Sequence, residues 1–397
     1  MTAAIGSASS HASPRADTTD HVTIVAHDIG PVGGMEIQLS RLIEGLLSRG
    51  RHVTVIARSC EIPAHEHLER VLVPTPLRPF AAFYPWFGLA GGALLARHGR
   101  GIVHTAGAIV PNAVDVATCH FCHRAFEALG GPSRAGRSTP AHRAHAEVSA
   151  VMSKAGERMI YRPQRVRAMV AISDGVRREL ERWFPRLKGS LRTIPHGVDL
   201  ARFAPDPVRR GRVRDELGIA DDELVAIFAG GDWVRKGLAH AIAAVAASST
   251  WQLLVVGTGD EVAYSALARV AGIRDRVHFL GSRADMPCLF AASDAFLLPT
   301  SYETFSLVTY EAAASGLPLL VTRVSGPDQL IVDGANGTFL NGAPANTAAW
   351  LAKLRDTGLR ARMGAAARRA AQPYTWDAAV DRHIALYDEL AQSRQRR

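Results

Sequence analysis

Residues 299–320 read PTSYETFSLVTYEAAASGLPLL. The preceding run AFLLP (295–299) is apolar and short, as a buried strand is. From about Thr304 the composition turns to helix formers, and Gly316-Leu317-Pro318 stops them. LPLLVTR then starts another apolar run, so the stretch predicts strand, helix and parallel strand. The free N–H groups of a helix opening near Thr304 suit an anion such as a phosphate. Two carboxylates, Glu303 and Glu311, stand eight positions apart. If most of that spacing is helical, they lie about 12 Å apart along the axis. That separation is the reach needed to hold a hexose with one and a ribose with the other, since carboxylates accept hydrogen bonds from sugar hydroxyls. The alternative is two solvated carboxylates on an ordinary helix.

The same grammar extends in both directions. ELVAIFAGGD, WQLLVVGTGD and DRVHFLG are further apolar strands ending in Gly or Asp. Near the start, HVTIVAHDIG leads into GGMEIQLSRLIEGLLSRG, where Ile37, Leu39, Leu42, Ile43, Leu46 and Leu47 recur at helical spacing before Gly50. RHVTVIAR, GIVHTAG and RAMVAIS continue the series. PHGVDLARFAPDPVRRG, with its prolines, reads as a link. The expected architecture is α/β, with two doubly wound Rossmann-like lobes at about 21–200 and 201–372. A helix over 373–397 is expected to pack back towards the first lobe. Residues 1–20, small and polar, read as a disordered tail without the apolar core of a secretory signal. Two such sheets leave a crevice at the carboxyl ends of their strands, where ligands bind.

Composition narrows the function classes. No apolar run is long enough to span a membrane. Four cysteines in 397 residues do not make a disulfide framework and fit a reducing cytoplasm. The net charge of +9 suggests an anionic partner, or surface arginine used only for solubility. It is concentrated: Arg124 to Arg167 holds nine Arg or Lys against three Glu. No nucleic-acid-binding motif accompanies it, so nucleic acid is not an expected partner.

Three further motifs carry candidate chemistry. VAIFAGGDWVRKGLAHAI runs a strand into glycines and then into Arg235-Lys236-Gly237. Glycines let backbone approach a ligand, and two adjacent cations suit a diphosphate whose charge grows as a bond to it breaks. Gly33-Gly34 precedes the first helix without forming a dinucleotide fingerprint. DVATCHFCHRAF contains the haem-attachment pattern C-x-x-C-H, but a covalent haem needs export and no signal is present. No Asp-x-Asp occurs in the chain.

Glu303-x7-Glu311, continued by EAAASGLPLLVTRVSGPDQLIVDGANG, resembles the retaining glycosyltransferases of family 4, which have the GT-B fold. The resemblance runs from about 21 to 392 and is densest from 191 to 340. It implies a UDP- or GDP-sugar donor on the second lobe and a glycan or lipid-linked acceptor on the first. Glu303 and Glu311 then hold sugar and ribose. Thr304, Phe305, Ser306 and Leu307 meet the phosphates at a helix N-terminus. Gly33 and Gly34 bring backbone N–H groups near donor phosphate and acceptor. Many members carry an Arg where this chain has Gly231, so Arg235 and Lys236 are left to grip the diphosphate, a variant similar to the branch acting on lipopolysaccharide core. His120, or alternatively Asp115, is implied to touch the donor sugar near the reacting carbon, and His196 replaces a more usual Asn. The resemblance implies a hexosyltransferase with no metal and no cofactor, in the cytoplasm or peripheral at the inner face of the membrane. An anionic lipid surface would there meet the basic stretch, with Phe80, Phe83, Tyr84, Trp86 and Phe87 at headgroup level. A catalytically silent nucleotide-sugar-binding protein, or an epimerase or phosphorylase on the same fold, are the rival readings.

Overall fold

The computed structural model describes residues 20–31, 33–75, 80–130, 140–248 and 250–396, with the side chains of 140–144 excepted. The polar tail through residue 19, and Arg134, Arg137, His142 and Arg143 of the basic stretch, lie outside the described side chains.

Two large parallel sheets carry the lobes, beside a short pair of strands at Asp28–Ile29 and Ser59–Cys60. The first has seven strands in the order Leu68–Leu72, His52–Ala57, His21–Val25, Ile102–Thr105, Val114–Cys119, Val166–Ala171 and Leu191–Thr193. The second has six, in the order Val277–Phe279, Trp251–Val256, Leu224–Ala229, Ala295–Leu298, Leu319–Thr322 and Gly337–Leu340. Sheets covered by helices on both faces need strands apolar on both sides. Val53, Val55, Ile56, Val225, Ile227, Phe228, Leu297 and Leu298 are accordingly all fully buried. Each strand order reverses at its first strand, which opens a crevice at the carboxyl ends.

The lobes are tied by two chain passages. Val198 N donates to Tyr374 O at 2.8 Å, and Gly197 lies so close to Trp376 that an added Cβ would sit 2.3 Å from its backbone nitrogen. The helix Trp376–Gln395, capped by Thr375, then packs on the helix Gly34–Ser48 of the first lobe. Gly45 is the contact point, where a Cβ would come within 2.5 Å of Val380 Cγ2. Arg49 pairs with Asp377 and Asp381, and the buried Tyr387 hydroxyl bonds His104 Nδ1 at 2.6 Å.

Asp115 has a structural place that excludes it as a sugar ligand. It lies at the amino end of the strand Val114–Cys119, opposite the crevice, and is 1% exposed. Its carboxylate accepts from Val103 N at 2.9 Å, Arg167 Nη1 at 2.8 Å and Arg394 Nη2 at 2.7 Å. It fastens the last turns of the carboxyl-terminal helix to the sheet, and it occupies Arg167 of the basic stretch in doing so. Charged hydrogen bonds are worth about 1.5–3 kcal/mol each, less where the arginine is half exposed. Asp115→Ala should therefore destabilise the protein by about 2–4 kcal/mol in urea unfolding, while UDP affinity of the folded variant stays at the wild-type value.

Candidate functional site

The strand Leu224–Ala229 ends in Gly230, whose φ of 132° is open to glycine. A Cβ there would meet Lys236 Cε at 2.4 Å, so the missing side chain makes the seat for the lysine. Asp232, at φ 51°, caps the four-residue helix Trp233–Lys236 by accepting from Arg235 N, and Gly237 closes it in the left-handed conformation. This tight unit presents Arg235 and Lys236 together. Both converge on one carboxylate oxygen: Glu303 Oε1 lies 3.1 Å from Arg235 Nη1 and 3.0 Å from Lys236 Nζ. Thr300 Oγ1 donates to the same atom at 3.1 Å. Arg235 is held from its other side by Asp232 at 3.0 Å.

The helix carrying Glu311 spans Leu307–Ala314 and starts three residues later than the sequence suggests. Ser306 stands at its N-terminus with φ 62°, a left-handed conformation in a residue with a side chain. Only the Leu307–Glu311 half of the carboxylate spacing is helical, so the axial separation expected from eight helical steps does not apply. Asp232 and Ser306 are the two non-glycine residues with positive φ among the described residues, and both flank this site. Such strain persists only where surroundings enforce it, and it concentrates at ligand clamps.

Two cavities meet in the crevice. One, of about 290 Å³, is lined by Gly34, Lys236 and Glu303 through Val308. The other, of about 230 Å³, lies within the first lobe and is lined by His27, Tyr84 and Glu157 among others. His120 and Met35 border both. His120 follows the strand Val114–Cys119 directly, so it stands at the carboxyl end of that strand. Its two ring nitrogens are buried without a partner. Burial holds its pKa down at about 3, so the ring is neutral, and it stacks on His196 at 5.6 Å. Gly33, at φ 97°, turns the chain into the first helix; Gly34 faces open space. Gly231 is exposed and uncrowded.

Bonds cross the crevice from the 302–304 segment. Ser173 Oγ donates to Thr304 O at 2.7 Å, and Tyr302 donates its hydroxyl proton to Glu179 Oε2 at 3.1 Å. Tyr302 also packs against Phe121 and Phe126 of the first lobe. Cys119 and Cys122 are buried free thiols, and burial pushes Cys122 up to about 12 and Cys119 in the same direction, so both are poor nucleophiles.

Two family models match the chain, "Glycosyltransferase Family 4" over residues 32–202 and "Glycosyl transferases group 1" over 223–357. The chain is a family 4 glycosyltransferase of the GT-B fold. Among similar proteins, the D-inositol 3-phosphate glycosyltransferase of Xylanimonas cellulosilytica is 29% identical over 93% of this chain and 94% of its own. The lipopolysaccharide glucosyltransferase WaaG of Escherichia coli is 26% identical over 78% of this chain and 82% of its own. The crystal structure of WaaG aligns with a TM-score of 0.76 at 23% identity, covering 91% of this chain and 98% of that one. Anabaena HepE in complex with UDP-glucose aligns at 0.69 with 18% identity, covering 95% and 100%.

Of the residues the sequence singles out, Gly34, His120, Lys236 and Glu303 through Leu307 line one cavity of this glycosyltransferase and Arg235 joins them through Glu303, while Gly231 and Glu311 are not among the lining residues and Asp115 lies apart. Gly231, expected among the donor-binding residues, is exposed, and the crowded glycine is its neighbour Gly230. Sequence reasoning passed over Tyr302, His27 and Glu157. Tyr302 lay inside the quoted motif. The other two carry no local pattern.

Burial raises the Glu311 carboxyl from 4.5 to about 7, against a smaller opposing pull from Arg202. A raised acid pKa means the folded state binds the proton more tightly, so this contribution is full below the unfolded value and is lost as pH rises towards 7. Relative to Glu311→Gln, the wild type should lose roughly 1–3 kcal/mol of stability between pH 5 and 7.5. Urea midpoints measured across that range for both proteins check it, parallel curves being the contrary result.

Proposed function

We propose that this glycosyltransferase moves a hexose from a UDP- or GDP-sugar to a glycan or lipid-linked acceptor, with retention of configuration and without a metal. The observation that carries the reading is the convergence of Arg235 and Lys236 on Glu303 beside the N-terminus of the helix Leu307–Ala314. An arriving diphosphate competes with the Glu303 carboxylate for two cations and gains the free N–H groups of that helix. Glu303, released in part, is then available to sugar hydroxyls, and Glu311 to the ribose. As the anomeric bond breaks, charge grows on the departing phosphate where those donors already stand. Neutral His120, beside the lysine cavity, offers a hydrogen bond to the sugar without adding charge. In the retaining route the acceptor hydroxyl forms the new bond on the face the phosphate leaves, and a phosphate oxygen takes its proton. A neighbouring fold that carries UDP-glucose supports the donor class. The relatives are named for different acceptors, one for inositol 3-phosphate and one for lipopolysaccharide.

Arg235→Ala and Lys236→Ala should each lower single-turnover transfer at saturating donor by roughly a hundredfold. EDTA should leave wild-type turnover unchanged, and NMR of the product should show the donor's anomeric configuration. Wild-type rates in both variants, or loss with EDTA that Mg²⁺ restores, would overturn the clamp or the metal-free route. A protein that binds UDP yet transfers nothing would be the silent relative instead.

The same reading includes docking at an anionic membrane, now on different side chains. Phe83 and Phe87 are core residues packed edge-on against His27, so they do not reach a headgroup. Trp86 and Leu89 on the helix Phe80–His98, and Val148 and Val151 on the helix Pro140–Ile160 packed against it, are exposed. Apolar residues beside cations bind interfaces reversibly. Sedimentation should show binding to anionic vesicles, none to neutral ones, and less as salt rises. Equal binding to both, or none, would favour an acceptor in solution.

A further inference from the structure

The first-lobe cavity holds charge in an arrangement the donor side does not require. Glu157, on the last turn of the helix Pro140–Ile160, is 2% exposed. Its Oε1 accepts from the backbone N–H of His123 at 2.8 Å and faces His123 Nδ1 at 2.9 Å. Its Oε2 is buried and has no hydrogen-bond partner. Buried polar atoms are normally satisfied, and a free carboxylate oxygen held rigid by its twin is an acceptor awaiting a donor. His27 Nε2 and both nitrogens of His120, bordering the same cavity, are likewise buried and unpartnered. Burial keeps both imidazoles neutral, His27 at about 4 and His120 at about 3. Phe80, Tyr84 and Ile109 supply apolar wall. No Lys or Arg lines the cavity among the described residues.

We propose that this cavity is the acceptor subsite and that Glu157 is its specificity-determining residue. Its Oε2 takes a hydrogen bond from a hydroxyl of an uncharged ring, and its charge rejects rings bearing phosphate. The inference rests on the glycosyltransferase reading of the crevice. The size fits one ring: about 230 Å³ is below the roughly 300–1,000 Å³ of drug-sized ligand sites. The chemistry fits a polyol, whose hydroxyls donate to Oε2 and exchange hydrogen bonds with neutral imidazoles while its C–H face meets the aromatic wall. A phosphate would lose its water, face a carboxylate, and find no Lys or Arg among the described lining residues to replace the lost solvation. Because His120 borders both cavities, a hydroxyl at that boundary is next to the donor sugar.

Saturation-transfer NMR on the full chain, with and without saturating UDP, tests this. The probes are methyl α-D-glucopyranoside, methyl α-D-mannopyranoside and myo-inositol, each against its phosphomonoester. The expected result is binding of at least one neutral ring, with its phosphate at least tenfold weaker. Glu157→Gln should weaken the neutral ring about tenfold and narrow that preference. Ser153→Leu, which intrudes on the cavity from the same helix, should abolish ring binding. Both variants should bind UDP as the wild type does, which also shows that they are folded. Phosphorylated rings binding as tightly as neutral ones, no ring binding to the UDP-loaded protein, or neutral binding unchanged in both variants would each overturn the proposal. Ring binding that follows this pattern in a protein that does not bind UDP would leave the ring pocket and the selectivity of Glu157 standing and remove the donor reading, and with it the pocket's role as an acceptor subsite.

Discussion

One carboxylate organises this enzyme. Arg235 and Lys236 are adjacent cations in a four-residue helix, and both reach the same oxygen of Glu303. Burying two like charges side by side is costly unless an opposite charge stands between them. Glu303 Oε1 fills that position, and Thr300 orients it. The backbone is bent to suit: Gly230 gives up a side chain for the lysine, and Asp232 and Ser306 accept left-handed conformations on either side. These costs bring no packing gain of their own. They make sense as preorganisation, with donors already in place before any negative charge appears between them.

Charge is divided across the crevice. The second lobe contributes the cations, while the cavity of the first lobe contributes a carboxylate and imidazoles that burial keeps neutral. His196 and His383 are pushed in the same direction by burial. The neutral His120–His196 stack at the crevice supplies hydrogen-bonding capacity without adding charge. Charge thus runs one way, from a cationic wall to a pocket lined by a carboxylate and neutral imidazoles.

The parts of this design visible in the sequence are those with local grammar. Strands buried on both faces must be continuous apolar runs, and helices between them must show a 3.6-residue stripe, so the two-lobed α/β architecture was legible from hydrophobic pattern alone. Arg235 and Lys236 could be singled out because they follow a strand end and two glycines, and Glu303 because it follows a strand end at a fixed spacing from Glu311. The start of the Glu311 helix was misjudged because Ser306 begins it from a left-handed conformation, and backbone strain leaves no trace in composition. Asp115 was misplaced by a few positions that matter greatly in a strand of six residues: one end faces the crevice, the other faces Arg167 and Arg394. Glu157 and His123 are 34 residues apart, and only the fold brings them together.

The residues proposed to grip the donor and those that join the lobes are the same short segment. Thr304 O accepts from Ser173 of the first lobe, and Tyr302 reaches Glu179 and the Phe121–Phe126 pair. Between them stands Glu303, holding both cations. A segment of three residues therefore has one set of contacts in each lobe. Whatever draws Glu303 off its cations acts on the backbone that carries Tyr302 and Thr304, and whatever parts the lobes acts on Glu303. Linkage makes that relation reciprocal: if donor phosphate is held better by one arrangement of the 302–304 segment, lobes closed in that arrangement hold the phosphate better by the same free energy. The acceptor cavity, walled by Phe121 and His120 on the other side of the same contacts, shares in that balance. Donor grip, lobe closure and the shape of the acceptor pocket are then three readings of one local equilibrium.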